Sequence, residues 1–169
     1  MSFAKAFGLS FVAFIGLNAV FFLIGYGIQG SLDLFFESLA DTPSNISALL
    51  FGPLTGNFPS AIITTIVIWI GGLPVEIGFV ILIVGYIIAP LIAAILSGKF
   101  GETKIQSFGG WFLTAIISTI VILVLGIVFA GGPMTPEMIA TQVVTYLGIG
   151  IIYGLMFGCI ALLVASSEY

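Results

Sequence analysis

Ser60-Ala-Ile-Ile-Thr-Thr-Ile-Val-Ile-Trp-Ile70 is the stretch on which the fold turns. It reads either as a membrane span or as a piece too short to be one. Its strongly apolar part, 58–70, has 13 residues. As a helix that is about 20 Å, against a hydrocarbon core of about 30 Å, a length that suits a re-entrant or interfacial segment. Extended to 54–73 it reaches 20 residues and is long enough to cross. Helix propensity does not separate the two readings.

A repeat bears on the choice. Thr114-Ala-Ile-Ile-Ser-Thr-Ile-Val-Ile-Leu-Val124 lies over the same stretch at a shift of 54, with seven of eleven positions identical. Gly56, Phe58 and Gly72 fall on Gly110, Phe112 and Gly126. Downstream, Gly71-Gly-Leu-Pro-Val-Glu76 resembles Gly131-Gly-Pro-Met-Thr-Pro-Glu137, and each copy is followed by another apolar helix. Internal repeats set architecture. This one predicts two tandem helical hairpins, with the short segment spanning like its longer twin.

Outward from the repeat, the segments 6–28, 75–96, 108–130 and 139–165 are each long and apolar enough to cross, and Glu76 is the one charge they contain. The expected fold is therefore all-α: a polytopic transmembrane bundle of about five spans, with four spans plus a re-entrant 58–70 as the alternative. The whole chain, 1–169, reads as a single membrane domain. It comprises an anchor helix (6–28), an interfacial helix and loop (31–57), a first hairpin (54–98) and a repeat-related second hairpin (108–166). The anchor is longer than the roughly 7–15 residues of a signal-peptide core, and no clear small-x-small cleavage site follows it.

Composition agrees. Hydrophobic residues make up 60% of the chain and charged ones 6%, where a soluble domain carries about 25% charge. Too few polar side chains exist to cover a globule in water. Clustered cations, which nucleic-acid binding requires, are missing: the basic residues are Lys5, Lys99 and Lys104. The chain has no His, the commonest metal ligand and neutral-pH proton shuttle. The single Cys159 cannot form a disulfide within the chain. No catalytic set can be assembled, and neither an enzyme nor a cofactor is expected.

Orientation rests on the lysines. Five spans put the termini on opposite faces and favour a cytoplasmic loop carrying Lys99 and Lys104. Four spans with a re-entrant segment put all three lysines on one side. Glycosylation of Asn45-Ile-Ser47 would report which face that loop meets.

In lipid, helices associate through close packing and interhelical hydrogen bonds rather than through hydrophobic burial. Small residues four apart mark such faces. They run as Gly85, Ala89, Ala93, Ser97; as Gly150, Gly154, Gly158; and, in the two copies, as Gly56, Ser60, Thr64 and Gly110, Thr114, Ser118. These faces form either an intramolecular core or a seam to other subunits. Trp69 and Trp111, near helix ends, read as interfacial anchors, and the deeper Tyr86 and Tyr153 as phenols bonded to neighbouring carbonyls. Pro90 removes a helix hydrogen bond and should kink its span. Leu32, Phe35, Phe36 and Leu39 share one face of 31–40, an amphipathic helix lying along the interface as a cap or a docking surface.

Glu76 and Glu137 are repeat-equivalent, each just after a Pro at a helix start. As a pair they would bind a cation or relay protons. As structural residues they would complement the positive ends of helix dipoles. Gly25-Tyr-Gly-Ile-Gln-Gly30 matches the dinucleotide pattern, but the preceding run has the length of a membrane helix, so it reads as a helix terminus. The leading expectation is a non-catalytic accessory subunit, with the bilayer and other membrane subunits or copies of itself as partners. The alternative is a small transporter or channel for an ion or small solute using Glu76 and Glu137, with Thr64, Ser118 and Tyr86 along its path.

Overall fold

A computed structural model describes residues 3–55, 57–72, 74–130 and 132–165. Among the described residues seven α-helices follow one another: α1 (Phe3–Ile28), α2 (Leu32–Asp41), α3 (Ile46–Phe51), α4 (Asn57–Ile70), α5 (Ile77–Phe100), α6 (Lys104–Val128) and α7 (Pro136–Ala165). Short 3-10 turns at Pro43–Asn45 and Gly52–Thr55 flank α3. Four of these helices, α1, α5, α6 and α7, are long and apolar enough to cross a membrane. α4 is not among them, because its 14 residues reach only about 21 Å.

The ends of the helices follow from local chemistry. α1 stops in a Schellman motif: Ser31 N donates to Tyr26 O (3.0 Å) and Gly30 N to Gly27 O (3.1 Å), with Gly30 at φ +66°. The Gly25–Gly30 pattern is thus a helix C-terminus. α4 also ends on a left-handed glycine, Gly72 (φ +72°), whose N–H donates to Trp69 O (3.1 Å). α6 starts on Thr103, whose Oγ1 accepts from Gln106 N (3.2 Å), and α7 on Thr135, whose Oγ1 accepts from Met138 N (3.3 Å).

The long helices form a bundle in which α1 packs on α5 and α6, and α7 on α5 and α6. α1 and α5 run antiparallel, since Gly25 sits against Gly78 and Leu82, and Gly85 against Phe21. The start of α1 meets the start of α6 (Ala6 against Gly110), and the end of α5 meets the end of α7 (Gly98 against Ala161 and Val164). One end of the bundle therefore gathers Lys5, Lys99 and Lys104. The other gathers Asp33, Glu37, Asp41, Glu76 and Glu137. Phe3 and Ala165, the outermost described residues, lie at the same, lysine-bearing end, unlike the opposite-face termini that five crossings would give.

Between α1 and α5 the chain does something hydropathy does not disclose. After α2 docks Phe35 on Phe22 and Tyr26 (ring centroids 4.6 and 5.5 Å), residues 43–55 turn into the bundle. Phe51, Gly52, Pro53 and Leu54 are buried. Phe51 and Leu54 share one cluster with Phe14 of α1, Ala89 and Ala93 of α5, Trp111 of α6 and Tyr153 of α7. Prolines at 43 and 53 lack the N–H that a continuous helix needs, so the insert is broken into short turns. α4 then leads out: its Ile68 lines a cleft with Pro74, Val75, Glu76 and Phe79 at the start of α5.

Candidate functional site

The broken insert is covered on one side by a polar cavity of about 440 Å³. The insert and the end of α2 contribute Thr42, Ser44, Asn45, Ser47 and Thr55, and α7 contributes Gln142 and Tyr146. The end of α6 supplies the apolar wall with Ile122, Gly126 and Phe129. Five residues with hydroxyls and two with amides thus line one space, and none of its lining residues is charged. Tyr146 lies ten residues after Pro136, about 15 Å along the axis of α7, so the polar lining extends well down the bundle. Thr55 Oγ1 donates to Gly52 O (2.7 Å) and Asn45 Nδ2 to Ser38 Oγ (3.2 Å), which hold the insert's own polar groups in place. Gln142 Oε1 is buried and meets no hydrogen-bond partner among the described residues.

Beyond the cavity the bundle is sealed. Trp111 is completely buried, edge-on to Phe14 (5.6 Å, 81°) and Phe157 (5.9 Å, 67°), and its Nε1 donates to Tyr153 O at 3.2 Å. This corrects the expectation of an interfacial anchor. Trp111 shares the inward face of α6 with Thr114, Ala115 and Ser118, so register, not distance from the helix end, sets its place. Trp69 is 74% exposed near the end of α4.

Glu76 and Glu137 stand at the same end of the bundle, and both are exposed. Glu76 is the N-cap residue of α5, in extended conformation and with no side-chain cap bond. Glu137 lies in the first turn of α7, behind the Thr135 cap. Glu76 lines clefts with Val75 and Phe79 and with Gln29 and Gly78; Glu137 belongs to neither, nor to the polar cavity.

The small-residue faces are occupied within the chain. A Cβ on Gly154 would stand 2.7 Å from Phe112 Cδ2, one on Gly158 2.5 Å from Phe108 Cε2, and one on Gly110 2.5 Å from Ser97 Oγ. Gly150 meets Thr119 and Gly85 meets Phe21, while Ala89, Ala93 and Ser97 are buried on α5. Gly56 and the side chains of Ser60 and Thr64 lie outside the described residues. Buried hydroxyls mostly bond to backbone: Ser97 Oγ to Ser107 O (2.7 Å), Thr114 Oγ1 to Gly110 O (2.9 Å) and Thr119 Oγ1 to Ala115 O (2.8 Å). Asn18 Nδ2 donates to Phe14 O (2.8 Å).

The cavity was not visible in the sequence, because its walls come from three segments far apart in the chain. The weak signal available was the polar run Thr42-Pro-Ser-Asn45 followed by Ser47 between two apolar stretches. No protein-family model, no curated protein and no solved structure matches the chain. The class rests on the fold alone: an all-helical protein with four membrane-length apolar helices, the make-up of an integral membrane protein.

Proposed function

We propose that this protein is a small, non-catalytic transporter or channel that takes up a solute at the polar cavity between residues 42–55 and α6–α7. The observation that carries the proposal is the broken helical insert, 43–55, buried among apolar helices. At membrane depth, backbone that departs from a continuous helix persists only where protein buries it or water reaches it. Discontinuous helices of this kind line the solute sites of many transporters.

In this reading the insert and α4 together are re-entrant, entering and leaving at the acidic end, and four helices span. All three lysines then lie on one side, which their excess assigns to the cytoplasm, and the cavity opens on the other. Phe14, Trp111, Tyr153 and Phe157 close the way to the lysine end. Glu76 and Glu137 play no part in passage, since they line other surfaces.

The test is flux through proteoliposomes of the purified full chain, with glycerol, urea, K⁺ and acetate as probes. Ala48 also lines the cavity, and Ala48→Trp, which fills it, abolishes the flux, whereas Glu76→Gln with Glu137→Gln leaves it unchanged. Flux that survives Ala48→Trp and falls with the carboxylates would move the path to the acidic pair. Maleimide labelling of Ser44→Cys from outside and Lys99→Cys from inside checks the orientation.

A second reading, an accessory subunit of a larger membrane assembly, draws on α4. This apolar helix touches its own bundle sparingly, and Ile63, Ile66, Val67, Trp69 and Ile70 are all exposed. The small-residue faces of α5, α6 and α7 are filled from inside the chain, so the exposed side of α4 is the surface on which this reading rests. Native mass spectrometry of the protein extracted from its own membrane, with larger partners in fixed stoichiometry, is the result expected of a subunit.

A further inference from the structure

We infer that the polar cavity selects an uncharged, hydrogen-bonding solute such as a small polyol or amide, and that the amide of Gln142 is the group that reads it. The inference rests on the solute-passing reading above and adds the chemical class.

Charge decides the class first. The lining holds hydroxyls and amides and no ionised side chain. An ion that sheds its hydration to enter such a site meets no opposite charge in return and is held back. A neutral solute exchanges its hydrogen bonds with water for bonds to hydroxyls and amides and incurs no such penalty. Size agrees with a small solute: about 440 Å³ falls in the lower part of the range of about 300–1,000 Å³ typical of small-molecule sites.

Gln142 is singled out by its unmet bond. Asn45 is already engaged with Ser38 of α2 and Thr55 with Gly52 of the insert. Gln142 Oε1 instead is buried beside the end of α6, with a Cβ on Gly126 falling 3.6 Å from it, and meets no donor among the described residues. A buried acceptor left unpaired is unfavourable, and turning the Gln142 amide toward the cavity it lines lets a hydroxyl or N–H of the solute supply the missing bond. The facing Tyr146 hydroxyl supplies a group that both donates and accepts. The site thus suits solutes that carry donors and acceptors on neighbouring atoms.

The experiment is stopped-flow shrinkage and reswelling of proteoliposomes with glycerol and with urea, beside K⁺ and acetate flux in the same vesicles. Glycerol and urea are expected to cross faster than in protein-free vesicles, with K⁺ and acetate at background. Gln142→Leu, of similar volume, slows the neutral probes by about tenfold, the worth of one hydrogen bond. Tyr146→Phe, which removes only a hydroxyl, slows them less and guards against a Gln142→Leu that fails to fold. Passage of K⁺ or acetate with exclusion of glycerol and urea overturns the neutral class and leaves the solute-passing reading intact. Neutral flux that both variants leave unchanged overturns the role of the Gln142 amide. Failure of all four probes to cross overturns the solute-passing reading itself.

Discussion

Residues 60–70 and 114–124 are nearly the same peptide in two different places. The second lies inside the 25-residue α6, with Thr114, Ala115, Ser118 and Thr119 buried against neighbouring helices. The first lies in the 14-residue α4, at the edge of the bundle, where Ile63, Ile66 and Val67 are exposed. Their flanks differ. α6 is preceded by two further turns that carry Trp111 into the core, and its helix continues through Gly126. α4 is preceded by Pro53, carries Pro59 in its first turn and is stopped by Gly71-Gly72. A core of shared residues supplies apolar character and helix; the turns on either side decide its length and whether it finds neighbours.

Substitutions at matched positions probe this contrast. Trp111→Ala carries the greatest consequence: it opens a void beside Phe14 and Phe157 and removes the indole N–H from the Tyr153 carbonyl. Stability in detergent drops by about 3–5 kcal/mol, read as a lower midpoint in an SDS titration; an unmoved midpoint would place the core elsewhere. Leu123→Ala follows, at about 2–5 kcal/mol, because Leu123 is buried on α6.

The aligned glycines should respond with opposite signs in thermal unfolding. Gly72→Ala forces a side chain into the left-handed region and costs about 1 kcal/mol. Gly126→Ala strengthens a helix interior by about 0.5–1 kcal/mol, since the added methyl finds only an ordinary contact at 3.6 Å. A loss at both positions would show that α6 cannot accept a methyl at Gly126. Least affected is Trp69→Leu, which writes the residue of α6 into α4. Trp69 is 74% exposed, so the melting midpoint moves by less than the equivalent of about 0.5 kcal/mol. A large drop would mean that α4 is packed more firmly than it stands here.

Much of the fold was legible beforehand. The segments 6–28, 75–96, 108–130 and 139–165 correspond to α1, α5, α6 and α7 within a few residues, because about 20 apolar residues in a row have few other uses. The amphipathic spacing of Leu32, Phe35 and Leu39 marked α2, although Phe36, expected on the same face, is exposed. The candidate site was not legible. Glu76 and Glu137 stood out because ionised residues are rare in such a chain, yet rarity says nothing about which surfaces they line. Gln142 and Tyr146 drew no notice, and Asn45 stood out only as a glycosylation sequon, because a neutral polar residue is commonplace until its neighbours are known.

Local forces act within one turn or one span, so hydropathy and caps could be read from consecutive residues: the four long apolar segments and the helix terminus at Gly30, but not whether 58–70 crosses, nor therefore whether Lys5 shares a side with Lys99 and Lys104. Burial and hydrogen-bond satisfaction involve partners scores of residues away. Only the packed bundle could turn Trp111 inward, fill the glycine faces from within, draw 43–55 among the long helices and leave Gln142 facing a space with its bond unmade.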